Sequence, residues 1–396
     1  MAKLVPSWHN RRPRGYPWRT LTLLAVGFIF ASLLAVFAGG WYYSDQLKDG
    51  AFSVKHESDE LDVQVIAVED GRITLRATPE ADEDGDWAHA GVYGLEWVGG
   101  YGRVGEIVER EGSQVVRLFE PLEGVPRPEE MARLDSYAFP GNPFKAHGIA
   151  FEEVTYASPL GEFPAWFVAG SEHTWAIFVH GKGADRREAL RMLPATVEAG
   201  LPSLVVTYRN DEGTPHSDDW MYRYGQTEWE DIEGAVQYAV DHGAQDVVLV
   251  GYSMGGAIVM HLLHESPLAG RVSEVILDSP VLDFAATVEW GARDRFVPWP
   301  LMPLGKQLAA WRFDIDWAEL DSLRHADELA AAILIFHGDD DKKVPVSTSD
   351  ELARARPDLV TYARVPGAGH VRSWNVDHAA YESRVATFLE GALKRE

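Results

Sequence analysis

The stretch Val247-Val248-Leu249-Val250-Gly251-Tyr252-Ser253-Met254-Gly255-Gly256-Ala257-Ile258 constrains the fold more than any other part of the chain. Four consecutive apolar β-formers suit a strand covered on both faces, and a helix-compatible run follows within four residues. Gly251 and Gly255 flank Ser253 in a G-x-S-x-G pattern. That spacing places a serine on a sharp, strained strand-to-helix turn where bulky neighbours would clash. The helix start supplies free backbone N–H groups that favour negative charge. A serine so placed is a candidate nucleophile; a tight turn without chemistry is the competing reading.

The surrounding sequence favours chemistry. From Ile149 onward, apolar strand-like runs alternate with helical patterns. Phe151–Tyr156 and Ala165–Ala169 flank a Ser158-Pro159-Leu160-Gly161 turn. Strands are expected at 176–179, 203–208, 247–250, 275–277, 331–336 and 360–365, and helices over 185–199, 227–242 and 377–393, with one from the serine to about Ser266. Thr227 is a suitable N-cap and Gly243 a suitable stop. Such alternation calls for an α/β architecture, a mainly parallel sheet with helices on both faces. Open sheets of this kind place reactive groups at the carboxyl ends of strands. His337-Gly338-Asp339-Asp340-Asp341-Lys342-Lys343-Val344-Pro345 follows one run, and Pro366-Gly367-Ala368-Gly369-His370 follows the next.

His180-Gly181-Lys182-Gly183, Gly251–Gly256, His337-Gly338-x-x-Asp341-x-x-Val344-Pro345 and Gly367-x-Gly369-His370 together resemble the α/β-hydrolase superfamily, in its branch of acyl esterases and prolyl-oligopeptidase-like serine hydrolases. The resemblance covers about 149–394 and none of 1–148. It implies an α/β-hydrolase fold with Ser253 as nucleophile, His370 as general base and then acid, and Asp341 as the acid that orients it. Asp278 is the rival acid and His378 the rival base. The resemblance further implies an oxyanion hole from the backbone N–H groups of Met254 and Lys182, the second departing from the glycine-rich loop of some lipases. His180 and His337 are expected to satisfy backbone groups, and Arg209–Gly213 to line the cleft. His261 and His264, three apart on one helix, have no further ligand in view, so packing is their expected role. The enzyme class that follows is a serine hydrolase acting on carboxylic esters without metal or other cofactor. A peptidase or amidase with the same triad, and a binding or scaffold protein on a hydrolase fold, are the alternatives. Residues 281–330 read as a cap insertion rich in aromatics, Phe284, Trp290, Phe296, Trp299, Trp311, Phe313 and Trp317 among them, which either face an apolar acyl group or pack the cap.

The net charge of −25 argues against nucleic-acid partners, and the absence of cysteine excludes disulfides and thiolate chemistry. The charge is uneven. Residues 1–44 carry five basic and no acidic residues, leaving 31 basic and 61 acidic for the remainder. An uncharged run begins at Leu21 and continues to Ser44, long enough to cross a bilayer as a helix. Trp18 and Trp41-Tyr42-Tyr43 flank it as interfacial anchors, and the basic residues precede it. These features give a cytoplasmic 1–20, a transmembrane helix at 21–43 and an extracytoplasmic catalytic domain; a cleaved signal peptide is the rival. A spacer is expected at 44–60, a small β-rich module at 61–121 whose protein partner is unknown, a linker at 122–148 and the hydrolase domain at 149–396. Asp82–Asp86 lacks the spacing of a calcium loop and reads as a solvated acidic loop.

Overall fold

The computed structural model describes residues 18–56, 60–79, 81 and 85–393. Most of the expected basic N-terminus, three spacer residues and Asp82–Asp84 lie outside the described residues. The chain forms two compact units. One joins the N-terminal stretch up to Lys48 with Val297–Asp314; the other joins Asp49–Phe296 with Ile315–Glu396.

The first helix, α1 (Trp18–Leu47), takes in the whole apolar run. With 30 residues it is about 45 Å long. Its apolar side chains are largely exposed, as with Leu23 at 72% and Phe28 at 74%.

The second unit opens on a β-barrel. Its strands are β1 (Val63–Glu69), β2 (Arg72–Ala77), β3 (Tyr93–Trp97), β4 (Gly100–Glu111), β5 (Gln114–Glu123) and β6 (Met131–Asp135). They close in the order β1-β2-β5-β4-β3-β6, all antiparallel. Inward and outward positions alternate, and Val65, Ile73, Leu75, Leu95, Val104, Val115 and Phe119 fill the interior. Strand β6 lies inside 122–148, the stretch expected to be a linker. Arg133 at its centre reads as a surface residue. In the barrel it bonds to Glu96 of β3 at 2.6 and 3.0 Å, so the charged strand is tolerated as the closing one. Arg117 is fully buried. Its guanidinium donates to the carbonyls of Gly105 (2.9 Å), His89 (3.0 Å) and Gly91 (2.7 Å), fixing the loop before β3.

After a short helix α2 (Pro143–His147), the hairpin β7 (Glu152–Ser158) and β8 (Gly161–Val168) leads into the main sheet. It continues through β9 (Thr174–Val179), α3 (Leu193–Glu198), β10 (Ser203–Val206), α4 (Trp229–Asp241), β11 (Asp246–Tyr252), α5 (Met254–Glu265), β12 (Val272–Asp278), α6 (Phe284–Asp294), α7 (Leu301–Phe313), β13 (Ala332–Gly338), α8 (Ser347–Ala355), β14 (Val360–Val365), α9 (Ser373–Val376) and α10 (His378–Leu393). The sheet order is β14-β13-β12-β11-β9-β10-β8-β7; β9 to β14 run parallel and the edge hairpin is antiparallel. Strand β11 is central and almost wholly buried, as its apolar run requires. The helix expected over 185–199 is split into a 3-10 turn, Arg186–Arg191, and α3. Pro194 stands in the first turn of α3, where its missing N–H costs nothing but forbids continuity with the preceding turn.

The segment from Asp49 onward, just after α1, is already part of this unit. Phe52 is fully buried among Tyr224, Phe284 and Trp317. Its carbonyl accepts from the N–H of Tyr222 at 2.7 Å, and Ser53 pairs with Met221 in an isolated bridge.

In the first unit, α7 packs along the C-terminal part of α1. A Cβ on Gly40 would lie 2.5 Å from Leu304, so a residue without one is needed at that contact. Arg312 lies over Trp41, 3.8 Å from the ring centre, and donates to Asp45 at 2.6 Å and to Ser44. The cap aromatics therefore divide. Phe284 and Trp317 pack around Phe52, whereas Trp299 (80% exposed) and Trp311 (73%) stay at the surface of the unit built on α1.

Candidate active site

Ser253 stands between β11 and α5 with φ 50° and ψ −111°, a strained backbone for a residue bearing a Cβ. Its neighbours permit that turn. A Cβ on Gly255 would fall 2.2 Å from the carbonyl oxygen of Val179, so only glycine lets α5 approach β9 this closely. The turn is held by Ser253 N–H donating to Asp278 O (2.9 Å) and by Val281 N–H donating to Ser253 O (3.1 Å).

His370 and Asp341 reach the same point from the ends of β14 and β13. His370 Nε2 lies 2.8 Å from Ser253 Oγ, and His370 Nδ1 lies 2.7 Å from Asp341 Oδ2. The other carboxylate oxygen of Asp341 accepts from the N–H groups of Lys343 and Val344, both at 2.8 Å. Burial opposes the ionisation of Asp341. His370 and hydrogen bonds from His337 and His370 outweigh it and hold the carboxyl well below the usual carboxylate range. His337 is fully buried, 3.3 Å from Asp341 Oδ2 and from Val344 O, with Nδ1 2.8 Å from Ser349 Oγ. It satisfies a backbone group, as expected, and it also braces the acid. That second role is encoded only in the i, i+4 spacing of His337 and Asp341.

Asp278 is brought near the site but not to the histidine. It is buried, with Ser279 Oγ and Ser373 Oγ each 3.3 Å from its Oδ1, and burial raises its pKa. His378 opens α10; its ring lies 5.5 Å from that of Trp374. The loop bearing His370 is fixed by Val371 N–H donating to Ser279 Oγ (3.0 Å) and by Arg372, which pairs with Asp86 at 2.8 Å. Asn375 donates to the carbonyls of Val92 (2.7 Å) and Ser136 (2.9 Å), so the histidine loop is held from the barrel side.

The His180–Gly183 loop runs beside the serine. A Cβ on Gly181 would lie 3.3 Å from Ser253 Cβ, and Gly181 N–H donates to buried Glu188 at 2.7 Å. Lys182 follows, its ammonium donating to Gly50 O at 2.6 Å; burial, then Lys55 and Lys343, lowers its pKa to about 8. His180 does more than satisfy backbone. Its Nε2 lies 2.8 Å from Asp211, and although burial alone would lower its pKa, Asp211 raises it to about 9. Arg209 is buried against Asp231 at 2.7 Å. Arg209 and Asp211 therefore brace the loops around the sheet, while Glu212 and Gly213 are exposed.

A mainly parallel sheet with Ser253, Asp341 and His370 gathered at its carboxyl ends is the architecture of an α/β-hydrolase-fold protein. A family model described as the prolyl oligopeptidase family matches residues 196–396, more than half of the chain. The chain belongs to that family. The barrel matches a model described as a domain of unknown function (DUF8805) over residues 64–135, which includes β6.

Two curated relatives, the uncharacterized proteins MT2364 and Rv2307c of two Mycobacterium tuberculosis strains, are each 26% identical over 204 residues. The match spans 51% of this chain and 64% of theirs, short of two thirds of their length. Among solved structures the chain resembles esterases and lipases. An esterase of Pyrococcus furiosus, Pf2001, is 19% identical, covering 61% of this chain and 91% of that one, with a TM-score of 0.49. The structure of EstE5 soaked with p-nitrophenyl butyrate is 21% identical, covering 62% and 86%, with a TM-score of 0.47. A membrane phospholipase A described as a bacterial virulence factor is 20% identical, covering 61% and 86%, with a TM-score of 0.45. These are distant likenesses, and nothing about substrate follows from them.

Proposed function

We propose that the protein is a membrane-anchored serine hydrolase that cleaves carboxylic esters through an acyl-enzyme on Ser253. The observation that supports this most is the pair of hydrogen bonds joining Ser253 Oγ, His370 and Asp341 at 2.8 and 2.7 Å. Ser253 Oγ attacks the acyl carbonyl while His370 Nε2 takes its proton. Asp341 keeps Nδ1 protonated and stabilises the imidazolium that forms. The oxyanion accepts from the N–H groups of Met254 and Lys182, each such donor being worth about 3 kcal/mol in the transition state. Collapse expels the alcohol, which takes the proton from His370; water, activated by the same histidine, then frees the acid.

The match to the prolyl oligopeptidase family favours a second reading, amide hydrolysis by the same residues. Purified protein assayed on p-nitrophenyl esters of graded chain length and on aminoacyl amides separates the two. Ester turnover should dominate; preference for the amides would make the protein a peptidase. Absence of both turnovers and of fluorophosphonate labelling would leave a binding protein on a hydrolase fold.

Helix α1 is long and apolar enough to cross a membrane. Lys3, Arg11, Arg12, Arg14 and Arg19 precede the apolar run, and Asp45 is the first acidic residue after it. Such a bias retains the N-terminus in the cytoplasm and exports the rest. Protease added to intact spheroplasts should therefore destroy an epitope in α10. Protection until the membrane is broken would reverse the topology.

A further inference from the structure

A second group of chemically capable side chains lies at the far end of α5, about 16 Å along that helix from Ser253. His264 is in the last turn of α5, and His325 and Glu328 belong to the 3-10 turn Ser322–Glu328 through which the chain returns from the cap insertion to β13. His264 Nδ1 lies 3.0 Å from one oxygen of Glu328, and His325 Nδ1 lies 3.1 Å from the other. The two rings face each other with centroids 3.6 Å apart. One ligand atom from each residue can be chosen so that all three lie within 4.8 Å of one another.

We propose that His264, His325 and Glu328 bind a divalent transition-metal ion of the zinc type, pinning the returning chain to the end of α5. Two imidazoles and one carboxylate make a donor set that suits zinc, cobalt, nickel or copper rather than magnesium or calcium. Tetrahedral zinc with bonds of about 2.0–2.1 Å needs ligand atoms roughly 3.3 Å apart. The two histidines, each about a third exposed, can close that gap by side-chain rotation. The surroundings favour it. His264 Nε2 is 3.5 Å from Glu265, a carboxylate placed to hold the tautomer that leaves Nδ1 free for the ion. His261 and Glu319 line the same small cleft, so another donor or a bound water can complete the coordination. Each imidazole–carboxylate contact is now a hydrogen bond; the ion would replace two such protons with one shared centre. Its distance from Ser253 makes it a structural clasp and leaves the serine chemistry independent of it.

The test uses tag-free, full-length protein in detergent, stripped with chelator and dialysed against Zn2+ or Co2+. The wild type should bind one ion per chain, give the visible absorption of low-symmetry Co2+, and melt at a higher temperature with Zn2+. His264→Ala/His325→Ala, at positions exposed enough to leave the fold intact, should lose the binding, the spectrum and the thermal shift while keeping the ester turnover of the stripped wild type. Glu328→Gln should weaken binding and keep the fold. Equal binding by the wild type and the double variant, or no binding by the wild type at saturating Zn2+, would overturn the proposal.

Discussion

The barrel and the main sheet are both built of strands, but they use their strands differently. Strands of the barrel bury one side only: β2 alternates, with Ile73 and Leu75 inward and Arg72 and Arg76 outward. Strands β9 and β10 are buried at every position. A strand covered on both faces has no free side on which to carry chemistry, so its polar residues collect where it ends. Ser253, Asp341 and His370 follow the ends of β11, β13 and β14. The barrel offers support instead: Arg117 fixes its 85–91 loop, and Asp86 of that loop holds Arg372, two residues past His370. The difference teaches where to look for unequal effects: residues at the sheet's carboxyl ends and residues that brace the same loop from the barrel should differ greatly in what their loss does.

Cutting the chemistry at the sheet should have the largest effect. Ser253→Ala should abolish fluorophosphonate labelling and lower turnover by roughly a million-fold, with the barrel and sheet still folded. Labelling at another serine in that variant would remove Ser253 from the reaction. Next comes the acid. Asp341→Asn should cost about ten-thousand-fold in kcat because the imidazolium loses its partner and its tautomer control. Asp278→Asn, at a carboxyl bonded to Ser279, Ser373 and Tyr381, should cost far less, and the reverse ranking would reassign the acid. The smallest effect should come from the barrel. Asp86→Asn removes the charge opposite Arg372 and should lower kcat by roughly tenfold with KM little changed, because the histidine is displaced and not removed. If that variant is as inactive as Ser253→Ala, the barrel belongs to the catalytic machinery; if it is fully active, the clamp is only a surface ion pair.

What could be read from the sequence divides along the same line. Ser253, Asp341 and His370 are legible because each sits in a short motif after an apolar run, and the main sheet is legible because its strands are continuous apolar runs. The barrel is legible only in part. A β-rich module is readable over 61–121, but β3 carries Gly94 and Glu96 and β6, in the stretch that reads as a linker, carries Arg133; both look like loop until the Glu96–Arg133 pair is seen. Arg117 alternates with Val116 and Leu118 and reads as outward-facing, yet it is one of the largest fully buried side chains among the described residues. His264 reads as a packing residue because the side chains gathered beside it, His325 and Glu328, stand about sixty residues further along the chain. The aromatics of α7 gave no hint that this helix would pair with α1, since the contact depends on Gly40 and Leu304, which no local pattern joins.

Phe52 bears on anyone who would shorten this chain for work in water. The natural places to cut are the C-terminal end of the apolar helix, the start of the barrel and the start of the hydrolase domain, and two of those three discard Phe52. Without it, Tyr224, Phe284 and Trp317 would surround a hollow the size of a phenyl ring. Emptying such a space costs about 3–5 kcal/mol, a large part of what keeps a typical domain folded. Asp49–Phe52 thus behaves as a plug for the unit that follows, and a chain shortened for work in water should begin no later than Asp49.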